Sequence, residues 1–312
     1  MKLLVLTLGL LPLMAMAGQT INEQIDVPAN KRIFIENQRG DVNITGWDKN
    51  EFKVSGELDD KAEGFELKTT GDKTEFIVKM PRNLGWGNNG DGSNLTVFMP
   101  KSSRLEFAGV NVSVTAKTLK KGAEVDVVNG EITVDDISGT VKLSTVNGDV
   151  NAQNLSGNIQ FETVNGEIND KQSSGELRFS AVNGDIKSST TANDVRLENV
   201  NGDIDFTLSS IKSLRINTVN GEAEIHISEL LKGADVRYES VSGDADFYFP
   251  QSVSAQFEIK AHANGKIINK VTRDKVTKAK YGPSSDLEFS ANGGSASVEM
   301  DTISGRIELR TK

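Results

Sequence analysis

The sequence predicts an all-β fold, a β-solenoid made of two-strand coils of about 18 residues. The first of three observations behind this prediction is a corner of the form Val-Asn-Gly-acid-aliphatic. It begins at Val128 and returns every 18 residues as far as Val200, then after 19 residues at Val219, before it fades at Val241. A period held this strictly indicates stacked copies of one supersecondary unit.

The other two observations concern the residues between these corners. A second corner lies halfway, as in Leu155-Ser156-Gly157, so each coil contains two units of about nine residues. Counted from the corner valine, apolar residues recur at positions 1, 5 and 7, and the alternation at 5 and 7 predicts strands with one buried face. Glycine at every ninth residue interrupts any helical period. We therefore expect flattened coils that stack in register about 4.8 Å apart.

The predicted organisation has three parts. Residues 1–17 combine Lys2, an apolar core and Ala15-Met16-Ala17, which predicts a secretory signal peptide, the alternative being an uncleaved anchor. Residues 18–100 contain irregular strands and predict an N-terminal β-domain that caps the first coil. Residues 101–312 predict the solenoid repeats with a C-terminal cap, including a helical turn at residues 228–233 and a protruding basic loop or hairpin from Lys270 to Lys280.

Composition restricts the partners that we expect. The chain has no cysteine, and removal of residues 1–17 would change its formal charge from −9 to −10, which argues against nucleic-acid binding. No later stretch is apolar enough to span a membrane, so we expect no transmembrane segment after signal cleavage. The oligomeric state cannot be predicted from these features. Trp86, in a glycine-rich loop, is expected either to anchor that loop against the sheet or to contact a ligand.

One predicted ladder is acidic. The residue after each corner glycine is a carboxylate: Glu131, Asp149, Glu167, Asp185, Asp203, Glu222 and Asp244. Like charges at strand spacing repel each other by about 1 kcal/mol even in water, so this edge is either simply solvated or holds a counter-ion. Calcium is the cation we consider, although each corner offers one carboxylate and the paired-Asp calcium nonapeptide is absent.

A second predicted ladder is basic. Alternation places one residue per coil outward on the same sheet: Lys142, Gln160, Arg178, Arg196, Arg215 and Arg237. We call this row the basic stripe. Because the matching residues of the opposite sheet are neutral or acidic, we expect the two faces to differ in sign. The stripe could hold an anionic polysaccharide through forked hydrogen bonds, or simply pair with Glu162, Glu198 and Glu239 on the same face.

The corner asparagines are expected to be structural, with hydrogen bonds from coil to coil. No Ser-His-Asp order, phosphate loop or metal-ligand spacing is evident, and His226 and His262 do not form part of any such pattern. We therefore expect a non-enzymatic binding or structural surface. The alternative is a carbohydrate-active β-solenoid enzyme, since several polysaccharide-cleaving enzymes share this architecture.

Three segments together resemble a known bacterial family. These are Asp41-Val42-Asn43-Ile44-Thr45-Gly46-Trp47-Asp48 followed by Phe52-Lys53-Val54, the repeated Val-Asn-Gly-Asp corners, and the ending from Thr302 to Leu309. The combination is similar to exported β-strand-repeat proteins known as "putative adhesins", a domain family of unknown function. The resemblance implies a β-solenoid in the periplasm, at the cell surface or outside the cell. It implies no catalytic residue. As partner we expect an anionic polysaccharide or an envelope protein.

Overall fold

The computed structural model describes residues 18–82 and 92–312. In these ranges the chain forms 26 strands and no helix, and the strands wind into a single stack of coils. The all-β solenoid predicted from the repeat is therefore confirmed. The helical turn predicted at residues 228–233 is wrong, because a bend there leads directly into the strand Leu230–Ser240.

The N-terminal third already contains stacked coils. Its strands are β1 (Thr20–Asp26), β2 (Arg32–Trp47), β3 (Glu51–Glu57), β4 (Gly64–Thr70), β5 (Lys73–Lys79), β6 (Ser93–Pro100) and β7 (Arg104–Leu119). The long strands β2 and β7 pass from one face of the stack to the other and pair in parallel, from Arg32 with Arg104 to Thr45 with Lys117. Parallel stacking therefore begins at Arg32 and continues past residue 100, and the division into an N-terminal β-domain and repeats at that residue stays a prediction.

A cap closes this end of the stack. The β5 and β6 strands form a further coil on the far side of β2, with β5 along its first half and β6 along its second. Beyond them β4 pairs antiparallel with β5, β3 with β6, and β1 with β3. The antiparallel strands cover edges that a repeating parallel coil would leave open.

The central coils consist of β8 (Ala123–Asn129), β9 (Ile132–Asn147), β10 (Val150–Gln153), β11 (Ser156–Asn165), β12 (Ile168–Lys171), β13 (Ser174–Asn183), β14 (Ile186–Thr190), β15 (Asp194–Asn201), β16 (Ile204–Leu208), β17 (Ile211–Asn220), β18 (Ala223–Ile227), β19 (Leu230–Ser240) and β20 (Ala245–Phe249). Even-numbered strands from β10 to β20 form face 1, and odd-numbered strands from β11 to β19 form face 2. Each strand pairs in parallel with its equivalent one coil away.

The core is a continuous apolar column between the two faces. Positions 5 and 7 of each nine point inward, as Ile159 and Phe161 do on face 2. The rings of Phe161 and Phe179 stack 4.9 Å apart, and Phe206 of face 1 lies 5.3 Å from Phe179 across the interior. Because each coil is only two strands thick, every coil depends on its neighbours for the rest of its apolar contacts.

The first residue of a corner is buried at one corner of each coil and exposed at the other. Before Ile137 and Leu155 stands a residue with positive φ, 52° at Asp136 and 55° at Asn154, and both aliphatic side chains are buried. At the Val-Asn-Gly corners the strand continues through the asparagine, so its alternation turns the preceding valine outward. The result is a row of aliphatic side chains between 37% and 47% exposed, formed by Val128, Val146, Val164, Val182, Val200, Val219, Val241 and Ile303. Val241 and Ile303 join the same row just beyond the strand ends at Ser240 and Thr302.

At the C-terminal end, as at the N-terminal end, the coils are stacked out of chain order. Its strands are β21 (Ala255–Ala261), β22 (Lys266–Asn269), β23 (Thr277–Lys278), β24 (Ser285–Ala291), β25 (Ala296–Thr302) and β26 (Arg306–Thr311). The last two strands stack directly on β19 and β20, and the earlier β21 and β22 lie outside them. The basic segment from Lys270 to Lys280 is an exposed loop that ends in the short strand β23 against β24.

Candidate functional site

The basic stripe exists as one straight ladder on face 2. Lys142 pairs with Gln160, Gln160 with Arg178, and the register continues through Arg196 and Arg215 to Arg237. Their neighbours in each strand are buried, so the stripe side chains point to solvent. The row therefore has the strand spacing of about 4.8 Å.

Most stripe cations already have a carboxylate nearby. Arg178 lies 2.7 Å from Glu176, and Arg215 and Arg237 lie 3.7 and 3.4 Å from Asp235. Of the three partners expected from the sequence, Glu162 forms a pair, with Lys142 at 3.5 Å, whereas Glu198 and Glu239 form no ion pair with any described residue. The side chains of Arg178, Arg215 and Arg237 are close to half exposed, so these ion pairs contribute little to stability and exchange readily with a ligand.

Arg196, near the middle of the stripe, differs from its neighbours. Within the described part of the chain its guanidinium makes no hydrogen bond and no ion pair. It flanks a shallow groove of about 250 Å³ together with Arg178. Gln160, Glu162, Ser180 and Glu198 complete the polar lining of this groove. Such a lining can bind an anionic group through the arginines and hydroxyl groups through the carboxylates and amide.

Across the coils that carry the stripe, the charge of face 2 is nevertheless close to balance. The stripe carries five cations, and the two ladders that flank it carry six carboxylates: Glu162, Glu176, Asp194, Glu198, Asp235 and Glu239. The expectation that the two faces differ in sign is therefore wrong. The sequence argument considered only one outward position per strand, whereas each face 2 strand has three.

The acidic ladder connects coils through its aspartates. Asp149 accepts a hydrogen bond from the backbone N–H of Glu167 at 2.8 Å, and Asp185 and Asp203 do the same for the next coils. At the end of the ladder, Asp244 accepts from the guanidinium of Arg306 at 3.0 Å. Within residues 18–82 and 92–312 no three His, Cys, Asp or Glu residues are grouped so as to hold a metal. Calcium binding by this edge stays a prediction.

The asparagine ladder forms as expected. Each side-chain amide donates to the side-chain oxygen of the asparagine one coil earlier, at 2.8 Å for Asn147 to Asn129 and for Asn165 to Asn147. The ladder starts one coil before the first Val-Asn-Gly corner, because Asn129 donates to Asn111. Asn111 was not found from the sequence because valine, not glycine, follows it.

Sequence reasoning also missed a buried polar cluster inside the solenoid. Asp170 is 2% exposed and accepts hydrogen bonds from the hydroxyls of Ser173 and Ser188. Burial raises the pKa of Asp170 to about 6, and the two hydroxyl hydrogen bonds oppose this rise. A signal was available, because Asp170 occupies inward position 7, where the preceding coil has Ala152. The cluster is enclosed by the coils, so it is an interior feature of the fold.

Two predictions fall on parts of the chain outside the described residues: the signal peptide of residues 1–17 and the role of Trp86. In the parts that are described, no helix is long and apolar enough to cross a membrane.

Several solved structures are similar to this chain. A "putative lipid binding protein" from Parabacteroides distasonis ATCC 8503 is 15% identical, with a TM-score of 0.44, over 94% of this chain and 97% of that one. A "putative adhesin" from the same organism is 13% identical, with a TM-score of 0.41 and the same coverage. Another "putative adhesin", BF0245 from Bacteroides fragilis NCTC 9343, is 12% identical, with a TM-score of 0.37, over 93% and 97%. No curated protein matches the chain.

The family comparison covers nearly all of the stack, from just before β2 to the penultimate residue of β26. The model of the family described as Toastrack DUF4097 matches residues 30–310. That range includes the out-of-order coils at both ends as well as the regular repeats between them. The chain therefore belongs to the Toastrack DUF4097 family.

Proposed function

We propose that this protein is an exported, non-enzymatic binding protein that holds an anionic polysaccharide along the basic stripe of face 2. The names of similar structures, adhesins and a lipid binding protein, support a binding role in general. They say nothing of a polysaccharide. That part of the proposal depends on the stripe.

The observation that carries the proposal is the row of in-register arginines in which Arg196 has no partner among the described residues. Arg178, Arg196 and Arg215 stand on three consecutive coils, so an extended polymer can meet one guanidinium per coil. Guanidinium groups bind carboxylates in a forked geometry. Glu162, Glu198 and Gln160 line the groove beside them. The carboxylates can accept hydrogen bonds from sugar hydroxyls, and the amide of Gln160 can both donate and accept. A polymer of uronic acids combines both kinds of group.

The test compares two variants with the same change in charge. In the first, Arg178, Arg196 and Arg215 become Ser. In the second, Lys117, Lys171 and Lys187, which lie outward on face 1, become Ser. We expect polygalacturonate binding at low salt to weaken about a hundredfold in the first variant, since loss of about 2.7 kcal/mol corresponds to that factor. The face 1 variant should bind like the unmodified protein.

Equal binding by all three proteins, or equal loss in both variants, would contradict a site on the stripe. The same incubations distinguish the enzyme alternative, because release of new reducing ends would show turnover. Parallel thermal unfolding with calcium and with a chelator tests the acidic ladder, where a bound ion at a hundred times its Kd adds about 2.7 kcal/mol.

A further inference from the structure

One segment at the C-terminal end of the stack concentrates positive charge on a protein that is otherwise acidic. Residues 266–281 contain six cations and one carboxylate, Asp274. We call the six the basic end: Lys266, Lys270, Arg273, Lys275, Lys278 and Lys280. All six are exposed. This segment carries a charge of +5, so the rest of the expected mature chain, at −10 in total, carries −15.

Local contacts hold the basic end in place. The side-chain oxygen of Asn269 accepts hydrogen bonds from the backbone N–H of Val271 at 3.0 Å and of Thr272 at 3.2 Å. Val271 and Val276 pack against the core, and β23 pairs with β24. The cations are therefore presented from an anchored loop at one end of a rigid stack.

An aromatic residue stands beside these cations. Tyr281 is 85% exposed, and the ammonium group of Lys280 lies 5.3 Å from its ring centre. An exposed tyrosine among lysines has an apolar ring for the lipid boundary and a hydroxyl for water, which suits the interface of a membrane. Clusters of lysine and arginine contribute about 1 kcal/mol each at an anionic lipid surface.

The charge distribution decides how such a surface is approached. A flat anionic membrane repels the acidic body, whereas it attracts the basic end. We propose that the basic end docks on anionic lipid headgroups, so that the solenoid stands end-on and its long faces stay free. This interaction does not depend on the polysaccharide proposed for face 2.

The first experiment measures sedimentation with phosphatidylglycerol and with phosphatidylcholine vesicles. One variant changes Arg273, Lys275, Lys278 and Lys280 to Gln, which spares Lys270 because it pairs with the buried Glu308. The matched control changes Lys117, Lys121, Lys171 and Lys232, all exposed on the solenoid body, to Gln. We expect binding to anionic vesicles at low salt to fall a hundredfold or more in the first variant, and to persist in the control.

Equal losses in the two variants would show that only net charge matters and would overturn the proposal, as would equal binding to both lipids. If the basic-end variant bound vesicles normally but aggregated, the lysines would instead be protecting the edge of the sheet. The face 2 triple variant should bind vesicles normally, so failure of this proposal and failure of the polysaccharide proposal are distinguishable.

A second experiment tests the orientation. Because the chain has no cysteine, single Tyr281→Cys and Thr70→Cys variants can each carry one polarity-sensitive dye at opposite ends of the stack. We expect a blue shift on adding anionic vesicles only for the dye at position 281. A shift at both positions would contradict end-on docking. If inorganic polyphosphate bound as tightly as the vesicles and Tyr281→Ser changed neither, the site would be one for soluble polyanions.

Discussion

At the scale of single residues, Asp170 makes the interior of this solenoid sensitive to pH. Its carboxyl group lies in the core column between Ala152 and Ser188 of the adjacent coils. Desolvation disfavours the charged form, and this raises the pKa to about 6, whereas an unfolded chain has an aspartate pKa of about 3.9. Between these values the folded protein holds a proton that the unfolded chain has lost.

The sign of the effect on stability follows from this difference. The contribution of protonated Asp170 is fully present below pH 4 and is lost as pH rises through 6. The loss amounts to about 3 kcal/mol, since a tenfold change in proton affinity corresponds to about 1.4 kcal/mol. We predict that Asp170→Asn, which keeps the shape and cannot ionise, removes this fall and is more stable than the unmodified protein at pH 8. Urea unfolding between pH 4 and 8 measures the free energy of unfolding of both proteins.

Asp205→Asn is the matched control, because Asp205 lies exposed on the same face, two coils along. It should keep the pH profile of the unmodified protein. An unchanged profile in Asp170→Asn would show that the interior carboxyl is ionised at low cost, for example through water that enters the coil.

At the scale of elements, the corner glycines determine how closely coils can stack. A Cβ built on Gly184 would lie 1.8 Å from the carbonyl oxygen of Gly166, one coil earlier, and Gly166 has the same relation to Gly148. Most corners require glycine for two reasons, the close approach to the neighbouring coil and a positive φ. The φ is +157° at Gly166 and +142° at Gly202. At Gly184 only the close approach applies, since its φ lies outside the left-handed region.

We predict that Gly184→Ala destabilises the protein by about 3 kcal/mol or more, because the obstacle is backbone that cannot move without breaking the stack. Gly71→Ala is the complementary variant. Gly71 has a φ of +60° but open space around its Cβ, so its cost should be about 1 kcal/mol. Thermal and urea unfolding of both variants measure the difference. A larger loss in Gly71→Ala would mean that backbone conformation, and not close approach, governs the corners.

At the scale of the whole molecule, the first parallel coil and the last coil each lie inside the stack instead of at its edge. The β2 coil lies between the β5–β6 coil and β7, and the final β25–β26 coil lies between β19–β20 and β21–β22. Arg306 of β26 adds ion pairs to Asp244 and Asp246 of the neighbouring coil, at 3.0 and 2.7 Å. A strand bonded on both sides opens only when two ladders break.

We predict that the last strands exchange their amide hydrogens as slowly as the central strands β13 and β15. Strands β1 and β4, which each have one partner strand in the described residues, should exchange faster. Hydrogen exchange read by mass spectrometry on peptides from residues 296–311, 174–201, 20–26 and 64–70 checks this. Fast exchange in residues 306–311 would contradict the insertion of the terminal coil.

The candidate stripe shows where prediction of the site reached its limit. Alternation alone placed Arg178, Arg196 and Arg215 in one outward row, because the period of two leaves no other face for them. Which cations are paired could not be read in the same way. The partners Glu176 and Asp235 are set by rotamers and by distances between coils, so the sequence did not show that Arg196 is the stripe cation without a partner in the described ranges.

The sequence by itself determined the repeating unit, the coil length, the inward positions and the identity of each ladder. These follow from local rules that every coil obeys, namely glycine at corners and alternation along strands. Only the tertiary structure decided which corner turns its first residue outward, where the terminal coils insert, and which cations of the stripe are paired. Those outcomes depend on contacts between residues far apart in the chain, such as Asp244 with Arg306, and no local period encodes them.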